Sequence, residues 1–223
     1  DVVVIGTGVA GMTTALRLLD RGARVILLDK ETKVGGNSAK ASSGINGCCP
    51  THSRSDSNSA DSVDAFAADT AKSALREPTG LIALLAEKSA STLEWLMSRV
   101  AVDLSKISQL GGHKHARTHR PANGMVGAEL TFALHRELKA YIKSGMLELR
   151  TGCKLTGFIL SDSAEATPST STIDNSAAAA RASVLGIRYT NEKTGEKQIE
   201  LYSPQTVLAT GGYANDRTNT SLL

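Results

Sequence analysis

The sequence predicts an α/β fold with a parallel sheet, and three observations near its beginning support this. Residues 1–5 form a short, mostly β-branched run with the composition of a buried strand. Residues 12–21 carry apolar side chains at helical spacing, and Gly22 is expected at the C′ position that ends the helix. Residues 25–28 form a second apolar strand with Asp29 at its end. Together they predict a Rossmann-type βαβ unit of about 30 residues.

The turn between the first strand and the helix, residues 6–11, has the pattern G-x-G-x-x-G. Gly6 permits the tight turn, Gly8 lets a pyrophosphate approach the backbone, and Gly11 lets the helix pack closely on the strand. The helix N-terminus attracts phosphate, and Asp29 can accept hydrogen bonds from ribose hydroxyls. We therefore predict a dinucleotide site, with a purely structural turn as the alternative. Its candidate contacts are Gly6, Gly8, Val9, Ala10, Gly11, Asp29 and Lys30.

The composition excludes several classes of protein. A chain of 223 residues with 41% hydrophobic residues can hold one large domain or two small ones. The net charge of +3 is too small to indicate a nucleic-acid partner, and no apolar run is long enough to predict a membrane span. Three cysteines make no disulfide framework, so we expect reduced thiols and an intracellular compartment. A strained disulfide between the neighbours Cys48 and Cys49 is the alternative.

A second stretch rich in glycine and small residues covers 33–50. It has too few apolar residues for a strand and too many glycines for a firm helix, so it is predicted to be a loop. Small side chains would let its backbone and hydroxyls approach a ligand, whereas an ordinary surface loop is the alternative. The candidate ligand contacts in this stretch are Gly36, Asn37, Ser38, Ser42, Ser43, Gly44, Ile45 and Asn46.

Residues 51–145 are predicted to be a mostly helical insertion. We expect a solvated loop at 51–60, helices at 61–77, 79–99 (one broken helix or two) and 128–144, and a connector at 103–109. Residues 110–127 contain the spacing His-x-His-x-x-x-His, which could bind zinc. No carboxylate or thiol lies near in sequence to support such a site, so no metal ligand is assigned. A contact to an anion or a dinucleotide is a second alternative to a solvated or hydrogen-bonded loop.

The apolar period changes to two after the helix at 128–144. Strands are expected at 146–150, 155–160, 184–190 and 197–203, giving an antiparallel ribbon of three or four strands. Residues 161–183 are a low-complexity segment predicted to be a mobile loop. A last strand, 205–210, is expected to return beside the first strand and to place a second small-residue turn near the ligand. The candidate contacts in this region are Leu155, Ala209, Thr210 and Gly211.

Four motifs in this order resemble the flavoprotein subunits of the fumarate reductase and succinate dehydrogenase family. They are the G-x-G-x-x-G unit, Gly-Gly-Asn-Ser with Ser-Ser-Gly-Ile-Asn at 35–46, Thr-His-Arg-Pro at 118–121 and Ala-Thr-Gly-Gly-Tyr-Ala at 209–214. The resemblance is strongest to the soluble fumarate reductases, of the yeast type or fused to NADH-dependent modules as in kinetoplastids. It implies FAD, with residues 35–46 beside the pyrophosphate and the isoalloxazine ring. Asn37 stands where other members carry a flavin-linked His, so a non-covalent FAD is expected.

The same resemblance implies hydride transfer from reduced flavin to fumarate, giving succinate. The family's substrate-binding and proton-donating residues follow the Ala-Thr-Gly-Gly strand, in a capping domain absent from residues 1–223. No catalytic residue is therefore assigned, and these residues alone are expected to be inactive. The alternatives are a non-catalytic flavoprotein-like subunit of an assembly, or another FAD oxidoreductase of the aspartate oxidase or ketosteroid dehydrogenase type. The sequence does not identify the electron donor, for which a fused NADH-oxidising module is one candidate. It also does not identify the compartment, for which a mitochondrion or a peroxisome-like organelle is a candidate.

Overall fold

The computed structural model describes residues 1–48, 61–75, 79–161 and 183–212. The α/β class predicted from the sequence is confirmed. The helices are α1 (Val9–Leu19), α2 (Val63–Ser73), α3 (Gly80–Arg99) and α4 (Val126–Lys143), with a short 3-10 helix at Gly36–Lys40. The strands are β1 (Val2–Ile5), β2 (Val25–Asp29), β3 (Ile45–Asn46), β4 (Lys106–Ser108), β5 (Thr118–Arg120), β6 (Leu147–Thr151), β7 (Cys153–Leu160), β8 (Val184–Asn191), β9 (Glu196–Tyr202) and β10 (Gln205–Leu208).

The chain divides into two compact units, which are described separately. The first comprises residues 1–34 and 138–223, and the second comprises residues 35–137. Several expectations lie outside the described residues: the loop at 51–60, the helix end at Pro78, the alternative disulfide at Cys49 and most of the segment 161–183.

The first unit is built on a parallel sheet with the strand order β10-β1-β2-β6. Its central strand is the apolar run at the start of the sequence, and Val4 pairs with Leu27 on one side and Val207 on the other. The expected return of the last strand beside the first is therefore confirmed. Strand β6 joins this sheet, so the antiparallel ribbon has three strands, β7-β8-β9, rather than four.

Helix α1 begins at Val9, three residues earlier than predicted, because the glycine turn itself enters the helix. The first helical hydrogen bond runs from the N–H of Met12 to the carbonyl of Gly8, over 3.0 Å. The helix ends at Leu19, and Gly22 has the expected positive φ of 83°. Gly22 was predicted at C′, but it is the C″ residue, one position further on, since Asp20 is the C-cap.

The second unit contains α2, α3, most of α4 and a small antiparallel sheet in the order β3-β5-β4. Helix α3 is one continuous helix of 20 residues, so the predicted break in 79–99 is wrong. The small sheet was not predicted: β4 lies in the expected connector and β5 in the region expected to be a loop. Strands of two or three residues are too short to show an alternating pattern.

Candidate functional site

The glycine turn of the first unit is held by close backbone approaches. Gly6 has a φ of +107°, and a Cβ there would lie 2.3 Å from the carbonyl oxygen of Ala209. A Cβ on Gly11 would lie 1.8 Å from the carbonyl oxygen of Gly6. The N–H of Ala209 donates to the carbonyl of Ile5 over 2.8 Å. The candidates Gly6, Gly11 and Ala209 therefore meet at the carboxyl end of β1. Close packing of the backbone alone is enough to require glycine at positions 6 and 11.

Gly8 is different, because its backbone needs no glycine. It is the N-cap of α1 with φ −65° and ψ 177°, values that most residues adopt. No side chain caps this helix terminus, and the first turn of the helix contains no acidic residue. A carboxylate there would repel a phosphate, whereas the helix dipole attracts one. The turn therefore fits a pyrophosphate, and we expect the missing Cβ of Gly8 to let that pyrophosphate approach the backbone.

Asp29 ends β2 as predicted, but its carboxylate also has partners within the protein. The Oδ2 atom accepts hydrogen bonds from the N–H of Thr7, at 2.7 Å, and from the hydroxyl of Thr7. The Oδ1 atom accepts from the N–H of Glu31 at 2.9 Å. A carboxylate oxygen can accept two hydrogen bonds, so Oδ1 can accept one from a ribose hydroxyl as well. The sequence did not predict that this acid also holds the turn.

The remaining candidates of the first unit differ in their exposure and in the element that carries them. Lys30 is exposed beside Asp29, and Thr210 and Gly211 are exposed directly after β10. Val9 and Ala10 open helix α1, with Ala10 exposed and Val9 partly so. Leu155 lies in β7, outside the parallel sheet, and its partly buried side chain packs against the core cluster formed by Val3, Ile5, Leu28, Cys153, Ile187 and Tyr189.

The second set of candidates lies in the second unit. Gly36, Asn37 and Ser38 belong to the 3-10 helix, where the side-chain oxygen of Asn37 accepts from Lys40 Nζ at 3.1 Å. Helix α4 packs directly on this segment, because a Cβ on Gly127 would lie 2.0 Å from the carbonyl oxygen of Ser38. The N–H of Gly127 also donates to the carbonyl of Ala41, over 2.9 Å.

Strand β5 holds the rest of this stretch. Ile45 pairs with His119 and Asn46 with Thr118, whose hydroxyl donates to Asn46 Oδ1 at 2.7 Å. Gly44 has a φ of +153°, and a Cβ there would lie 2.4 Å from the Thr118 side chain. Ser42 and Ser43 precede it and are exposed. The predicted loop is thus partly a strand with a fixed register.

A buried ion cluster around Arg117 escaped the sequence analysis. Arg117 is fully buried, and its guanidinium bonds Asp61 through Nε and NH2, at 3.2 and 2.5 Å, and Asp69 through NH1, at 2.8 Å. It also lies 4.8 Å from the centre of the Phe66 ring. Because a guanidinium only donates, His113 Nδ1 accepts from NH1 at 3.2 Å.

The protonation of this cluster follows from its contacts. Burial raises the pKa of the Asp69 carboxyl, but hydrogen bonds from the Lys114 N–H and from Arg117 lower it by more, so the net pKa lies below its ordinary value. Burial lowers the pKa of Arg117, and its bonds to both carboxylates raise it above the ordinary value. Nothing in the spacing revealed this cluster, since Asp61 and Asp69 lie far along the chain from Arg117 and look like charges of an amphipathic helix.

The histidines of the region 110–127 do not gather around a common point. His113 contacts Arg117, and His119 Nδ1 lies 2.9 Å from the carbonyl oxygen of Arg117. In the described parts of the chain, no group of three or more His, Cys, Asp and Glu residues could hold a metal ion. Within those same parts, no helix is long and apolar enough to cross a membrane.

Comparisons with known proteins agree with this geometry. A family model described as "FAD binding domain" matches residues 1–222. The chain is 33% identical over 225 aligned residues, or 99% of its length, to a fumarate reductase of Schizosaccharomyces pombe, and 43% identical over 62% of its length to fumarate reductase 1 of Saccharomyces cerevisiae. Its fold resembles the open conformation of a flavocytochrome c3 fumarate reductase, with a TM-score of 0.76 and 29% identity over 96% of this chain and 34% of that one.

The chain spans 40% of the length of the Schizosaccharomyces pombe protein and 30% of that of the Saccharomyces cerevisiae protein. The resemblance stated from the motifs is thereby confirmed, and FAD is the cofactor that the family match indicates. The particular cofactor contacts predicted from the sequence stay predictions. This chain, with its glycine turn at the end of a central parallel strand, belongs to the FAD-binding domain family of flavoprotein oxidoreductases related to fumarate reductases.

Proposed function

We propose that this chain is the FAD-binding part of a fumarate reductase, in which reduced flavin gives a hydride to fumarate and succinate is formed. The observation that carries the proposal is the 33% identity to a fumarate reductase along 99% of this chain. A match of that extent covers every motif of the cofactor region rather than the glycine turn alone. The glycine turn by itself would fit any dinucleotide enzyme.

The residues of the first unit would hold the ADP end of FAD. Helix α1 directs its N-terminus at the turn, where no side chain caps it, so its N–H groups suit the pyrophosphate. The Oδ1 atom of Asp29 suits a ribose hydroxyl, while Oδ2 keeps Thr7 in place. The second turn, at Ala209, Thr210 and Gly211, lies against the first.

The residues of the second unit would line the pyrophosphate and the flavin end. FAD, when bound, supplies the hydride for the reaction, and the chain's own residues bind and orient it. We propose a non-covalent FAD, because Asn37 carries an amide, which is not a nucleophile, and its oxygen already accepts from Lys40.

The residues that bind the dicarboxylate and donate the proton are proposed to lie outside residues 1–223. We assign none of the histidines or arginines of this chain to those roles. Of the two most buried candidates, His119 bonds the carbonyl oxygen of Arg117 through Nδ1, and the guanidinium of Arg117 bonds Asp61 and Asp69. Reducing equivalents are proposed to come from a separate donor, with a fused NADH-oxidising module as the candidate.

The test is a flavin analysis and a turnover assay on the whole gene product that carries this chain. We expect acid or heat to release free FAD without protease treatment. With a dithionite-reduced dye as donor, fumarate should be converted to succinate, measured by mass. The matched control is the Gly8→Val variant, which should lose both the flavin and the turnover.

Release of FMN or NAD alone would contradict the proposal, as would a flavin that stays on the protein until proteolysis. If the FAD-loaded protein leaves fumarate unchanged but oxidises aspartate or a ketosteroid, the chain belongs instead to an enzyme of the aspartate oxidase or ketosteroid dehydrogenase type. FAD-loaded protein inactive on all of these substrates would favour a non-catalytic subunit.

A further inference from the structure

The buried cluster of Arg117, Asp61 and Asp69 adjoins the strand pair β3–β5, because Arg117 immediately precedes β5. We propose that Arg117 is a positioning residue for the flavin end of the cofactor, which it serves by fixing residues 43–46 through β5. This inference rests on the proposed function. It gives a role to Arg117, Asp61 and Asp69, which are not among the predicted cofactor contacts.

The side chain of Arg117 is anchored on one helix at two points. Asp61 precedes α2 and Asp69 lies in its second half, and the guanidinium fork bonds both carboxylates. Phe66, between them on α2, covers the face of the guanidinium at 4.8 Å. The side-chain exposures are 0% for Arg117, 2% for Asp61 and 3% for Asp69, so water does not compete for these bonds.

The backbone of Arg117 is anchored to the predicted flavin stretch. Its carbonyl oxygen accepts from the N–H of Gly47 at 2.9 Å, and the next two residues pair with Asn46 and Ile45. Gly44 also lies so close to β5 that a Cβ on it would be 2.4 Å from the Thr118 side chain. One residue therefore connects α2 to the strand that is predicted to touch the flavin.

Stability alone does not account for such a cluster. Burying one cation with two anions costs desolvation free energy, and replacing a buried ion pair by apolar residues is often neutral or stabilising. What a guanidinium fork adds is direction, because its N–H groups bond two carboxylates only in one orientation. A lysine ammonium keeps the charge but cannot reproduce that orientation.

The experiment compares FAD with ADP on the full-length protein that carries this chain, in its Arg117→Lys form. ADP tests only the turn of the first unit, whereas FAD also needs the stretch at 43–46. We expect the Kd for FAD to rise about tenfold or more, which is 1.4 kcal/mol per factor of ten. The Kd for ADP should stay at its wild-type value, and the visible circular dichroism of the bound flavin should weaken.

The matched control is Arg99→Lys, in the same unit. Arg99 also pairs with a carboxylate, Glu137 Oε2 at 2.8 Å, but the pair links α3 to α4 rather than to β5. This control should bind FAD and ADP like the wild type. Should Arg117→Lys not fold, as judged by far-UV circular dichroism and gel filtration, the same comparison is made with Asp69→Asn, which removes one anchor and keeps its shape.

A folded variant of Arg117 or Asp69 with wild-type FAD affinity and flavin dichroism would overturn the inference. Equal losses of FAD and ADP affinity would also overturn it, because they would indicate a general structural role. A wild-type protein that binds neither ligand would overturn the proposed function itself. A protein that binds both, with variants that lose neither, would leave the proposed function intact and remove only this inference.

Discussion

Asp29 binds Thr7 through both the backbone N–H and the side-chain hydroxyl, and this contact joins the end of β2 to the turn that follows β1. Both residues are buried, Thr7 completely. The acid that is expected to contact the ribose therefore also shapes the turn that is expected to hold the pyrophosphate. Changes at this position affect the apoprotein as well as the ligand.

Replacing Asp29 with Asn should lower both the stability of the apoprotein and its affinity for FAD. An amide accepts at one end only, so its NH2 group would face the donors of Thr7 or the N–H of Glu31. We expect a loss of about 1–3 kcal/mol in the free energy of unfolding, measured by urea denaturation without FAD. Thr7→Val, which removes one donor and keeps the shape, should lose less. Unchanged stability of Asp29→Asn would show that the carboxylate does not hold the turn.

Gly8→Val should remove FAD binding while the apoprotein keeps its fold. The backbone angles of Gly8 suit a residue with a side chain, so the new Cβ affects the ligand rather than the chain. A ligand at 100 times its Kd stabilises a protein by about 2.7 kcal/mol. The increase in melting temperature on adding FAD should therefore vanish. A retained increase would mean that the turn is structural only.

Gly11→Ala, in contrast to Gly8→Val, should destabilise the apoprotein. Its Cβ would lie 1.8 Å from the carbonyl oxygen of Gly6, a backbone atom of the same tight turn that cannot move aside as a flexible side chain could. Overpacking of this kind costs about 1–3 kcal/mol or more. Thermal melting of the two apoproteins, Gly11→Ala and Gly8→Val, is the comparison to make. Equal melting temperatures would contradict the separation of packing and ligand roles among these glycines.

Asp103 should titrate far below an ordinary aspartate. Hydrogen bonds from the N–H of Ala122 and from Ser105 lower its pKa from 3.8 to about 2. The folded pKa lies below the unfolded one, so the stabilising contribution is complete above pH 3.8 and is lost as the pH falls through about 2.

NMR titration of the Asp103 carboxyl carbon should locate that pKa. In Asp103→Asn, the corresponding part of the acid-dependent loss of stability should be absent. A carboxyl that titrates near 3.8 would show that the bonds to Ser105 and Ala122 do not form in solution.

The parallel unit could be predicted because its signals are local. A β-branched run, a glycine turn, a helix and a terminal acid follow one another within the first 29 residues, and each has a distinct pattern. The break expected in α3 was wrong, because the stretch 86–92, which lacks large apolar residues, contains no glycine or proline, and its alanines favour a helix. A local sequence pattern predicts whether an element is a helix or a strand better than it predicts where the element begins and ends.

The β3–β5 pairing and the Arg117 cluster could not be predicted for a different reason. Strands of two or three residues carry no measurable period, and their pairing depends on residues far apart in the sequence. Asp61 and Asp69 look solvated in a helical pattern, and only the fold brings Arg117 to them. The second role of Asp29 was missed because the sequence shows what an acid could accept but not what already donates to it.

The pairing of Val4 with Val207 has a consequence for how the protein is made. These two residues are about 200 positions apart, so a ribosome adding about 5–20 residues per second leaves one edge of β1 open for about ten seconds or more before β10 exists. Gly6 packs on Ala209, so the glycine turn reaches its final geometry only after that delay. We therefore expect loading of the cofactor to be a late event in biosynthesis, and until β10 is made one edge of the buried strand β1 stays unpaired.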